Sequence, residues 1–157
     1  MRLAPLFTTG LLVSALMMLS GTQATSAPGA DGTTRLIVNV TGFRNAKGKV
    51  DALLFVGPDG FPDKDSKAFD RDEVSIDPQT MSAQIVFKDV PRGFAAVTVL
   101  HDENMNHKMD KNFIGIPKEG YGNSNNPKKA KHNPRWDEAT FAVTQPQQTI
   151  EIRLIYW

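Results

Sequence analysis

In RLIVNVTGF the side chains of Leu36, Val38 and Val40 fall on one face while Arg35, Asn39 and Thr41 fall on the other. A period of two is that of a half-buried β-strand. The same alternation returns in MSAQIVFKDV, where Ala83, Ile85 and Phe87 oppose Gln84 and Lys88, and near the end of the chain, where Ile150, Ile152 and Leu154 oppose Glu151 and Arg153. ATFAVTQ and FAAVTVL read as further strands, and KVDALLFVG as a strand with an apolar majority on both faces. NAKGK, with Gly48 free to take positive φ, predicts a hairpin between RLIVNVTGF and KVDALLFVG. Val90-Pro91-Arg92-Gly93 predicts a type I turn that reverses the chain into FAAVTVL. The segment PDGFPDKDSKAFDRDEV, rich in Asp, Lys, Pro and Gly, reads as a long loop or short edge structure.

No stretch carries a 3.6-residue period. About seven short strands with local connections predict an all-β fold, an antiparallel β-sandwich, with a small barrel as its rival. One stretch stands apart. Residues 102–137 carry almost no strand signal, yet Phe113, Ile114, Ile116, Tyr121 and Trp136 are available to pack. A loop of that length is expected to be ordered and functional.

Composition refines this picture. The chain has 157 residues, 40% of them hydrophobic, which fits one domain. Arg2, the apolar run over residues 11–19 and the small polar stretch after it predict a secretory signal peptide over residues 1–27, cleaved after Ala24 or Ala27. Residues 28–33 form a linker and residues 34–157 the domain. Removing Arg2 leaves 17 basic residues against 17 acidic ones, from 18 and 17 in the whole chain. That balance excludes nucleic acid as the main partner. The apolar run is too short for a comfortable membrane span, so none is expected after cleavage. Export leads to an oxidising compartment, but with no cysteine the fold must rest on its core or on a metal.

The chemistry concentrates in HDENMNHKMD. Asp102, Asn104 and Asn106 occupy positions 1, 3 and 5 of a calcium-loop pattern, Lys108 supplies the backbone carbonyl of position 7, and Asp110 fills position 9. Hard oxygen donors suit calcium rather than zinc. His107 stands where glycine normally makes the sharp turn, and Phe113 stands where a bidentate carboxylate is expected. The missing carboxylate must come from elsewhere, with Glu119 or Glu103 as candidates. Two firm carboxylates predict a weak site, with a dissociation constant on the order of 10⁻⁴ to 10⁻³ M. The bland alternative is that these Asp and Asn side chains cap successive turns through their own backbone.

The same residues carry a resemblance. HDENMNHKMDKNFIGIPKEGYGNSNN, with VPRGFAAVTVL upstream and RWDEATFAV and IEIRLIYW downstream, closely resembles the secreted bacterial family catalogued as domain of unknown function 2141, over residues 35–156. Where such proteins commonly have glycine at the sixth loop position, this chain has His107. The resemblance implies a transthyretin-like (prealbumin-like) or carboxypeptidase-regulatory-like β-sandwich in the periplasm or outside the cell, and no established activity.

Two functional classes follow. The first is an exported, non-enzymatic envelope module whose calcium-stiffened loop, with Asp102, Asn104, Asn106, Lys108, Asp110 and Glu119 around the ion, faces an envelope protein or polysaccharide. The second is a carbohydrate-active or other hydrolase using Asp102, Glu103, Asp110 or Glu119 as an acid and base pair. Ser124 lacks the glycine-flanked elbow of a serine hydrolase, and cysteine nucleophiles are absent. His101, His107 and His132 show no zinc spacing. KKAKHNPR, residues 128–135, is the one local excess of positive charge and reads as a solvated loop. Tyr121 and Trp136 are expected to cover the core edge.

Overall fold

A computed structural model describes residues 32–128 and 133–157. The expected signal peptide, all but the last two residues of the linker, and His132 within the basic cluster lie outside the described residues. Eight strands form two sheets: β1 (Thr33–Thr41), β2 (Lys49–Phe55), β3 (Asp70–Val74), β4 (Ala83–Pro91), β5 (Gly93–Asp102), β6 (Gly120–Asn123), β7 (Phe141–Val143) and β8 (Gln147–Arg153). One sheet has the order β4-β1-β8, and the other β3-β2-β5-β6 with β7 paired to the other end of β5. The expected sandwich stands, and the alternating residues face where their period places them. Leu36, Val38, Val40, Ile85, Phe87 and Ile152 of the first sheet pack against Val50, Ala52, Leu54, Val97 and Val99 of the second, all essentially without exposure.

The pairing differs from expectation in three places. The predicted hairpin between the first two strands does not form, because β1 pairs with β4 and β8 while β2 pairs with β3 and β5. The turn at Gly48 carries the chain across the core instead of back along the same sheet. Val90 to Gly93 likewise passes the chain from one sheet to the other: β4 runs through Pro91, and β5 begins at Gly93. A bulge prepares this crossing. Between the pairs Leu36↔Phe87 and Thr34↔Val90, Lys88 and Asp89 face the single residue Arg35, and Asp89 takes φ +54. Finally, β8 lies parallel to β1, so the sandwich is mixed rather than purely antiparallel.

The segment read as a long loop or short edge structure and the loop read over residues 102–137 each contain strand. In the first, DRDEV is the edge strand β3. In the second, β6 pairs with β5, and the one-turn helix α1 (Trp136–Ala139) follows, with the Glu138 side chain accepting the Arg135 N–H at 2.8 Å. Trp136 meets Phe61 edge to face, and Phe61 meets Phe55, with centroids 5.8 and 5.5 Å apart. This aromatic series packs at the Phe55 end of β2, whose outer face is apolar there at Leu53 and Phe55 and charged at its other end, at Lys49 and Asp51.

The junction between β6 and β7 along β5 exposes one backbone problem. β6 pairs with Thr98 to His101, β7 with Gly93 to Ala95, and Val97 lies between them. Ser124 closes the gap: its hydroxyl accepts the Val97 N–H at 2.9 Å and donates to the Ala139 carbonyl at 2.6 Å, while its own N–H donates to the Val97 carbonyl. Ser124 is wholly buried. Ser124→Ala is expected to cost about 1–3 kcal/mol in urea unfolding, because a buried N–H loses its acceptor. An unchanged midpoint would contradict this role.

Candidate functional site

The calcium-like stretch begins at the last residue of β5. Lys49 lies opposite Asp102 in the register, so β2 and β5 hold the base of the loop. His101, just before it, is fully buried and structural. Its Nδ1 accepts from the Tyr156 hydroxyl at 2.7 Å, its Nε2 donates to the Lys47 carbonyl at 2.8 Å, and Phe43 meets its ring edge to face. Burial is the main influence that pushes the Tyr156 hydroxyl up from its ordinary pKa.

From Asp102 onward the side chains fold back onto their own loop. Asp102 is 1% exposed, and its two carboxylate oxygens accept the N–H groups of Asn106 (3.1 Å) and His107 (2.6 Å). The Asn104 side-chain oxygen accepts the Asn106 N–H at 3.2 Å, and the Asn106 side-chain oxygen accepts the Lys108 N–H at 2.9 Å. Both asparagine amides then donate to Asp110, at 2.8 and 3.1 Å. Asp102, Asn104, Asn106 and Asp110 are thus drawn into one network, and Lys108 enters it through its backbone. Met105 and His107 take φ +58 and +59. The sixth loop position therefore has the left-handed turn for which glycine is usual, made here by histidine.

Glu119 closes the loop from its far end. It is 4% exposed, and its oxygens accept the N–H groups of Glu103 and Asp110, each at 3.0 Å. Burial raises its pKa above the ordinary carboxylate value, and the charges of Asp110 and Asp102 add to that rise against the two backbone hydrogen bonds. Glu103, the other candidate carboxylate, turns away to pair with Arg44 and to accept from the Asn45 amide at 3.0 Å. Phe113 is 99% exposed at the tip of the turn.

The outer face of the second sheet holds a constellation that no spacing in the sequence signals. Asp51, Glu73 and His107 each present one ligand atom, all within 4.8 Å of one another. Asp51 and Glu73 are register partners on β2 and β3, and the left-handed turn at His107 lowers its ring onto them. His107 Nδ1 lies 3.3 Å from Glu73 and 3.4 Å from Asp51. Cations already attend both carboxylates. Arg71 grips Asp51 through two nitrogens and comes within 2.9 Å of His107 Nδ1, while Lys49 pairs with Glu73. The Lys49 hydrogen bond is the main reason that Glu73 is held below the ordinary carboxylate range. A metal here would have to displace the Arg71 guanidinium. The residues are 51, 73 and 107, too dispersed for a motif, and only the alternation of β2 and β3 hints that Asp51 and Glu73 share a face.

An eight-stranded sandwich carrying an Asp/Asn-rich loop over one outer face defines a class of small β-domains with an acidic loop site. The chain belongs to the bacterial family described as uncharacterized protein conserved in bacteria, domain of unknown function 2141, whose pattern matches residues 38–151. No curated protein and no solved structure matches it. Among the described residues no helix is long and apolar enough to cross a membrane.

Proposed function

We propose that this protein is an exported, non-enzymatic module of the bacterial envelope whose loop over residues 102–119 takes a calcium ion and presents an interaction surface to an envelope protein or polysaccharide. One observation carries the calcium reading. Asp102, Asp110 and Glu119 gather around one loop, two of them almost fully buried, and among the described residues none has a lysine or arginine within 4.0 Å. Buried carboxylates are normally compensated by a cation. Each carboxylate or amide oxygen that accepts a backbone N–H keeps a second lone pair, so Asp102, Asn104, Asn106 and Glu119 can hold their hydrogen bonds and still face an ion. Asp110 must exchange its two asparagine donors for the cation. The Lys108 carbonyl completes an all-oxygen set that suits calcium.

The hydrolase reading fares less well on the same geometry. Asp102 and Glu119 each accept two backbone N–H groups, Asp110 accepts from two asparagine amides and Glu103 is tied to Arg44, so each of these four candidate acids and bases is already engaged in holding the loop. Export rests on the signal-peptide pattern of the first 27 residues.

Thermal melting of the mature chain tests the calcium site. Calcium at about a hundred times its dissociation constant stabilises by about 2.7 kcal/mol, a rise of several degrees in Tm. In Asp110→Asn, which alters a partly exposed side chain and removes one charge, the rise should disappear while the EDTA baseline stays close to the parent's. Identical melting of the parent in calcium and in EDTA removes the metal from this account.

A further inference from the structure

Strand register arranges the outer face of the second sheet in two rows. One reads Glu73, Asp51, Leu100, Tyr121, and the other Arg71, Leu53, Thr98, Asn123. Charge thus gives way to apolar side chains and then to an aromatic and an amide. A cleft of about 590 Å³ lies over these rows, with His107, Lys111 and Ile116 of the acidic loop in one wall. This size is ordinary for a small-molecule site.

One atom of the floor is unsatisfied. Asn123 is 5% exposed, and its side-chain oxygen has no hydrogen-bond partner. The oxygen itself has almost no accessible surface, so a donor reaches it only once neighbouring side chains shift, and would then supply the pairing that buried polar atoms on a folded sheet nearly always have. At the same end Trp157, about half exposed, donates its indole N–H to the Tyr121 hydroxyl at 2.9 Å. That bond ties together two aromatic side chains that line the cleft.

We propose that this cleft binds a neutral oligosaccharide, with a sugar hydroxyl donating to Asn123 Oδ1 and the C–H face of a ring lying against Tyr121 and Trp157. Sugars offer both requirements at once, donors around the rim and an apolar face that suits aromatic side chains. Neutrality follows from the charges. Arg71 already compensates Asp51, and the walls carry both Asp63 and Asp65 and Lys108 and Lys111, so neither sign dominates. An extended peptide fits less well, because β2 and β6 already flank β5 in the middle of the floor and strand addition is left only to the rim, along β3 or β6. This inference deepens the binding-module reading by naming the ligand class, and it does not need the calcium ion.

The test is titration calorimetry of the mature chain with cellotriose, chitotriose and maltotriose, each in EDTA and in calcium. Saturable binding of at least one, weakened about ten-fold or more by Asn123→Ala and by Trp157→Ala, is the expected result. Trp157 is half exposed, so its variant keeps the test decisive if the Asn123 variant folds poorly. The proposal is overturned if none of the three binds or if binding ignores both substitutions. Sugar binding in EDTA without any calcium-dependent melting sustains the cleft and removes the calcium site. Calcium-dependent melting without sugar binding does the reverse.

Discussion

Gly48→Ala is expected to lose more than about 4 kcal/mol of stability, in the range reached only by severe steric or burial defects. A methyl group at this position would sit 1.9 Å from the Asp102 carbonyl oxygen and 2.7 Å from the Glu103 Cα. Both are backbone atoms, so no side-chain rotation relieves the overlap. The residue also holds φ +65, which costs an alanine about 1–2 kcal/mol even in open space. Relief requires β2 and the base of the acidic loop to separate, and that breaks the Lys49–Asp102 end of the sheet. Gly115→Ala is the control: its φ is +83, but nothing lies within 4 Å, so only the conformational cost applies. Urea unfolding of the two variants should differ by several kcal/mol. Equal stabilities would mean that the loop does not rest on β2 in this way.

Glu119→Ala is expected to produce the second large effect, and its pH dependence identifies the cause. Truncation strips the acceptor from the N–H groups of Glu103 and Asp110, each worth about 1–3 kcal/mol when buried without a partner. Glu119→Gln keeps one acceptor and should fall between that variant and the parent. The sign of the pH effect follows from the direction of the shift. The fold raises the Glu119 pKa above its ordinary value of 4.5, so the folded chain holds this proton more tightly than the unfolded one. The carboxylate therefore withdraws stability as pH rises from 4.5 through the raised value, and has no such effect below 4.5. Glu73 and Asp77 act in the opposite sense and in another window. Their lowered values add stability above their ordinary values of 4.5 and 3.8 and lose it as pH falls. Melting curves between pH 4.5 and neutrality in EDTA should thus decline in the parent and flatten in Glu119→Gln. Calcium should offset the decline in the parent, because a cation favours the ionised form. A parent curve as flat as that of the variant would rule out the raised pKa.

The hydrophobic period placed six of the eight strands and chose their buried faces, because an alternating side-chain pattern has one economical orientation against a core, whereas DRDEV of β3 and GYGN of β6 carry no such pattern. The Asp102, Asn104, Asn106 and Asp110 series was legible for another reason, since its members lie on one contiguous stretch and show their spacing directly. Glu119 was readable only as one of two candidates, with Glu103, for a missing carboxylate, and the two backbone N–H groups it joins are visible only once the loop is closed.

Alternation says which way a side chain points and nothing about which strand lies beside it. The hairpin expected across NAKGK was for this reason misassigned, as β1 and β2 lie in opposite sheets. The parallel pairing of β1 with β8 joins residues more than a hundred positions apart, such as Val38 with Ile150, and rests on the packing of both sheets rather than on any local signal. Asp51, Glu73 and His107 meet for the same reason. β3 brings Glu73 beside Asp51, and a left-handed turn swings His107 over both. The amino-acid order alone settled the all-β class, the core positions and the acidic loop. Tertiary structure decided strand neighbours, the charged cluster and the cleft floor, because contacts between distant residues depend on how two twisted sheets stack and not on the period within either strand.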